Sequence, residues 1–177
     1  MSDGVFQTPE YRMISKFYGD RVAERSQIPL MFHIEEGIEI LMVLGAEQYV
    51  QQAFCLHPLI QGDADMEANH QEILGSTCLS MKAVMLATEY RRAANAYLCK
   101  PETDAWSIDD AKKHIGFMLP DIRLMLIADK VQNRKDFVAA HYGTHPRSDQ
   151  LLKYFNNWHE ILGHPLDSEV VDVKRCS

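Results

Sequence analysis

His33, His57 and Asp129 are the side chains in this sequence from which chemistry is most readily built. Two imidazoles and a carboxylate from three separate stretches can converge on a divalent cation, and that donor mix suits Mn, Fe or Zn. Singly, the histidines carry little, since a lone histidine on a helix is usually a partly buried core residue. Asp129 is less ordinary. It sits among Leu124, Met125, Leu126, Ile127, Ala128 and Val131, where an ionised carboxylate is costly to bury unless a cation meets it. Asn133 lies one turn further along the same helical face. A second group is basic: Lys82, Arg91, Arg92, Lys130, Arg134 and Lys135. Each alone reads as a surface charge. Together with Arg25 and Asn133 they favour a phosphate-bearing ligand, because guanidinium groups donate paired hydrogen bonds to phosphate oxygens. Tyr90 and Tyr97 could stack on a base. Asp63 and Asp65 read most simply as a solvated acidic turn. His141, His145 and Arg147 fall in HYGTHPRSDQ, a loop with a turn at Gly143 that could serve as a lid or as a contact in a homo-oligomer.

The elements that must position these groups read as helices. Ala, Leu, Met, Glu and Lys dominate and alternating β-branched runs are absent, so the expected fold class is all-α. A first helix is predicted from Thr8 to about Ala23, entered through Thr8-Pro9-Glu10. A second starts near Pro29 and is closed by Gly45 as a left-handed cap. A third runs from Ala46 to about His57, where Pro58 ends or bends it. Gln61 to Asp65 reads as a loop, followed by a helix over roughly Ser76 to Cys99. Ser107 and Asp110 resemble a capping box opening a short helix to about Phe117. Pro120 opens an apolar helix reaching about Ala140, and Ser148 to Leu162 forms a last amphipathic one. The sum is a bundle of about seven helices in a single domain over 1–177, its core at about 8–140 with the last helix, about 148–162, packed on it.

Composition narrows the partners. The 177 residues carry a net charge of −7, whereas general binders of nucleic acid or anionic membranes are normally basic. Neither partner is expected. Hydrophobic residues make up 46%, enough for a core without disulfides. Cys55, Cys78, Cys99 and Cys176 form no CxxC pair and read as reduced thiols of a cytoplasmic protein. Met1 to Glu10 lacks the pattern of a signal peptide, and no apolar run reaches the length of a membrane span.

Three segments together resemble a known family. ADKVQNRKDF around Asp129 resembles the ADKxxNxxDL signature of the hydrolase domain in (p)ppGpp (alarmone) hydrolases, members of the HD phosphohydrolase superfamily. ERSQIPLMFHIEEGIEILMVLGA and AFCLHPLIQGD resemble that family's opening and its HD segment, in the same order, so that the likeness covers most of residues 15 to 140. The resemblance implies an HD-type helical bundle and a divalent metal, Mn first, held by His33, His57 and Asp129. It places Arg25 on the nucleotide base and Asn133 on the nucleotide; the basic residues, Lys82, Arg91, Lys130 and Arg134 among them, read by their charge as the pocket's other wall. The departures are specific. Pro58 stands where the family has its second metal-binding residue, and Gln61 and Gly62 replace its Glu-Asp pair. Gln61 cannot take a proton, which leaves Asp63 as the substitute ligand or base in a shifted loop. Two readings follow: a metal-dependent phosphohydrolase acting on a phosphorylated nucleotide such as an alarmone or related signalling nucleotide, or a hydrolysis-deficient protein that binds and senses or sequesters one. A helical interaction protein that inherited only the fold is the third.

Overall fold

A computed structural model describes residues 4–24 and 26–164. Among them are eight α-helices: α1 (Pro9–Tyr18), α2 (Leu30–Val43), α3 (Gln48–Gln61), α4 (Asp63–Gly75), α5 (Met81–Ala96), α6 (Ile108–Ile115), α7 (Pro120–Ala140) and α8 (Ser148–Leu162). No strand occurs among the described residues, only an isolated bridge between Val22 and Pro29. The all-α expectation holds, with eight helices in place of about seven.

Local chemistry sets most of the boundaries. Thr8 caps α1 by accepting from the Tyr11 N–H, and Pro9 occupies the first helical position. Gly45 closes α2 at φ 71°. Ser107 and Asp110 form the expected reciprocal box at the start of α6. Helix α1 ends earlier than predicted, at Tyr18, because Gly19 adopts φ 52°. Helix α3 departs the other way and continues through Pro58 to Gln61. Its burial explains the tolerance. Val50, Ala53, Phe54, Cys55 and Leu56 are each 0% exposed, so packing on all sides holds the helix across the missing hydrogen bond. Helix α4 takes the place of the expected acidic loop. Its sequence DADMEANHQEILG has little apolar periodicity and buries only Ile73, which is why it is hard to see as a helix.

Helix α3 is central, packing against α5, α1, α4, α2 and α7; α7 also packs on α2, α5 and α8. The buried apolar side chains form one cluster running from Val5 to Leu162. Aromatic residues seal α8 onto it: Tyr97, Tyr154 and Trp158 pack together, and Asn157 donates to the Tyr97 hydroxyl at 2.8 Å. Tyr97 is thus part of the core. Cys55, Cys78 and Cys99 are free thiols, while Cys176 and Arg25 lie outside the described residues. No helix among the described residues is long and apolar enough to cross a membrane.

Candidate metal centre

Helices α2, α3 and α7 meet so that His33, His57 and Asp129 each offer one ligand atom, all within 4.8 Å of one another. His33 Nε2 lies 3.3 Å from His57 Nε2 and 3.5 Å from Asp129 Oδ1. The hydrogen bonds on the far side of each ring decide what these nitrogens can do. His57 Nδ1 is 2.6 Å from the Phe54 carbonyl, which can only accept, so Nδ1 carries the proton. His33 Nδ1 is 2.6 Å from Gln132 Oε1. The Gln132 amide cannot be turned round, because its Nε2 donates to Asp136 Oδ2 at 2.6 Å and to Glu36 Oε2 at 3.4 Å. Both rings therefore place their protons on Nδ1 and, when neutral, present bare Nε2 lone pairs to each other. Lone pairs repel. A proton or a cation between them relieves the contact, and a carboxylate oxygen lies beside them. Carbonyls orienting metal-binding imidazoles from behind are the usual second layer of such sites.

The electrostatics run the same way. Burial, then the neighbouring His33, pushes the His57 ring down to about 3, so it stays neutral and available as a ligand. Burial alone would raise the Asp129 carboxyl, but the Lys130 ammonium and then the two histidines outweigh it and hold it below its ordinary value. Lys130 Nζ sits 2.7 Å from Asp129 Oδ2 and faces the rings of Tyr154 and Trp158. Asn133 Nδ2 donates to Asp129 Oδ1 at 2.8 Å. Tyr90 is 0% exposed, its ring 5.0 Å from His57. Burial and then the Asp129 charge raise its phenol well above the usual range, which keeps the hydroxyl protonated beside the carboxylate.

The three side chains line a cleft of about 320 Å³, together with Tyr18, Pro58, Gln61, Lys130, Gln132, Asn133 and Asp136. A second hollow of about 360 Å³ shares Ala23, Ser26, Lys130, Asn133 and Asp136 with it and adds Phe137, His141, His145, Tyr154 and Phe155. The loop bearing His141 and His145 thus walls the cleft's extension. Arg147 turns away, bonding to the Cys99 carbonyl and to Asp104.

Of the basic side chains, Lys130 enters the cleft wall and the others are engaged elsewhere. Lys82 lies over the Tyr49 ring, 3.3 Å from its centre. Arg91 pairs with Asp63. Arg92 binds Glu89 and the Ile115 and Phe117 carbonyls, capping α6. Lys135 pairs with Glu36. Arg134 is half-buried and outside the lining of both hollows. Asp63, at the start of α4, has its side chain 96% exposed and is absent from the cleft lining. Gln61 does line the cleft, its carbonyl accepting from Asn95.

Gln132 and Asp136 are site residues that sequence reasoning passed over. Their spacing from Asp129, three and seven residues on, places them on its face of α7, and that periodicity was the available signal. No family model matches the chain, and neither a curated protein nor a solved structure matches it.

Proposed function

We propose that this chain is a divalent-metal-dependent phosphohydrolase of the HD type, acting on a phosphorylated nucleotide such as an alarmone. The observation that carries the reading is the pair of Nε2 lone pairs facing each other beside Asp129. That donor set fits Mn²⁺, and its order along the chain is the one the sequence resemblance implies. A cation held there would polarise a phosphoryl oxygen and lower the pKa of a water. The chain's own residues supply the rest. Gln132 and the Phe54 carbonyl aim the imidazoles, while Asn133 and Lys130 hold the Asp129 carboxylate. The adjoining hollow, with Phe137, Tyr154 and Phe155 in its wall, offers aromatic surface for a nucleobase.

A second reading, binding without turnover, has its own support. Among the described residues of the cleft lining the carboxylates are Asp129 and Asp136, and Asp136 already accepts from Gln132. Asp63 is spent on Arg91 at the surface. One experiment separates the two. Purified protein is incubated with Mn²⁺ and a panel containing ppGpp, dNTPs and cyclic dinucleotides, and the mixture is chromatographed after the protein is removed by denaturation. A cleaved nucleotide, with cleavage lost in Asp129→Ala, supports the hydrolase. A nucleotide that is retained by the protein and returns intact supports the binding protein. Neither result, with no Mn²⁺ bound, ends both.

A further inference from the structure

Pro58 stands where the sequence resemblance leads one to expect a metal-binding carboxylate, and it lies inside a helix rather than at its end. An internal helical proline is costly, because it has no N–H to give to the carbonyl four residues earlier. Here that carbonyl belongs to Phe54, a residue with 0% exposure, where an unmet acceptor could not turn to water. The structure shows what meets it. His57 Nδ1, on the residue just before the proline, donates to the Phe54 oxygen at 2.6 Å.

We infer that Pro58 is a positioning residue: by leaving the Phe54 carbonyl without its helical donor, it fixes the His57 proton on Nδ1 and points the bare Nε2 at His33 and Asp129. The chemistry is one of competition for an acceptor. With any other residue at 58, a backbone N–H would compete for the Phe54 oxygen, as in an ordinary turn of helix. Sharing that oxygen would weaken the His57 ring's hold on it, and the preference for the Nδ1 tautomer with it. A neutral imidazole left to itself favours the proton on Nε2, and that form has no lone pair to offer the site. The partner that His57 Nε2 faces does not favour the Nδ1 form, since a neutral His33 presents its own bare Nε2 as an acceptor, with its Nδ1 proton committed to Gln132. Phe54 adds a packing constraint, its ring centre 4.6 Å from that of His57. The proline therefore acts through the backbone rather than as a ligand, and does for His57 what Gln132 does for His33. That both rings are held by an oxygen on Nδ1 through unrelated devices, one a side-chain amide and one a freed main-chain carbonyl, is what a shared ligand between the two Nε2 atoms requires.

The consequence for metal binding rests on the metal reading above; the tautomer does not. Both are measured. Long-range ¹⁵N spectra of the histidine rings are recorded at pH 7.5 in EDTA for the natural chain, Pro58→Ala and Pro58→Val, and Mn²⁺ is then titrated into each after the chelator is removed. The natural chain should show His57 with a protonated Nδ1 and a bare Nε2. Both variants, which restore the N–H, should gain the Nε2-protonated form and bind Mn²⁺ about tenfold more weakly or worse, the range typical of losing a residue behind a ligand. Val matches the proline's bulk, so a shift in Ala alone would assign the effect to lost packing and overturn the inference. An unchanged His57 tautomer in both variants overturns it as well. A tautomer that shifts as expected in a protein that binds no Mn²⁺ upholds the role of Pro58 and removes the metal reading instead.

Discussion

At the scale of the residue, the site is a problem of charge. Asp129 and Lys130 are a buried ion pair, each side chain 5% exposed, and removing one partner of such a pair strands the other. Asp129→Asn should therefore cost about 3–5 kcal/mol in a denaturant titration, besides abolishing Mn²⁺ binding. A loss of metal with no loss of stability would show that Lys130 finds another partner. His57 makes stability depend on pH with a definite sign. The unfolded ring takes a proton near 6.5 and the folded ring only near 3. Between those values the unfolded state holds more protons, so the contribution is complete above about pH 6.5 and shrinks as the pH falls towards 3. Asp129, held below its ordinary value by Lys130 and the histidines against the effect of burial, adds loss of stability in the same direction at lower pH. Urea midpoints of the chelated protein across pH 3–8 should fall on the acid side, and His57→Gln should flatten the upper part of that fall.

At the scale of the element, α3 trades helix stability for the placing of His57. Pro58→Ala should raise global stability by about 1–3 kcal/mol, given the usual cost of an internal helical proline, while weakening Mn²⁺ binding. Stability and site function would then move oppositely, as expected where local strain serves a site. Helix α2 tests the converse. Gly37 lies against the Phe54 ring, and a Cβ built there overlaps the ring. Gly37→Ala improves helix propensity yet should destabilise by about 1–3 kcal/mol through overpacking, and a melting curve reads the sign. Such a push on Phe54 also reaches His57, which packs against that ring.

At the scale of the whole molecule, the chain is acidic and most of its expected phosphate wall is engaged elsewhere. Among the described residues of the cleft lining, Lys130 is the cationic one, already matched by Asp129. On the proposed reading, nucleotide affinity should then depend on a cation held by the histidines. Chelation with EDTA should remove nucleotide binding in equilibrium dialysis, not merely turnover, and binding that survives chelation would return the phosphate contacts to the protein's own cations. Saturating Mn²⁺ should also raise the melting temperature, since a ligand at about 100 times its Kd adds about 2.7 kcal/mol to the folded state.

Much of this was legible in one dimension, and the reason is locality. Thr8-Pro9, Gly45, Ser107 with Asp110, and Pro120 act within a turn of where they stand, so they marked helix ends without knowledge of the fold. Asp129 announced itself as a carboxylate in an apolar run, and the structure brings it together with His33 and His57 as the spacing allowed. Charges are different. Whether Arg91 faces a ligand or Asp63, whether Lys82 faces a phosphate or Tyr49, and whether Lys130 is exposed or sealed under Trp158 depend on which helix lies opposite. Pro58 was equally opaque, because a proline stops a lone helix and is carried only by one held on all sides. Side-chain type and short-range periodicity named the candidates; the packing of α2, α3 and α7 chose their partners, since burial and pairing are properties of facing surfaces and not of positions along a chain.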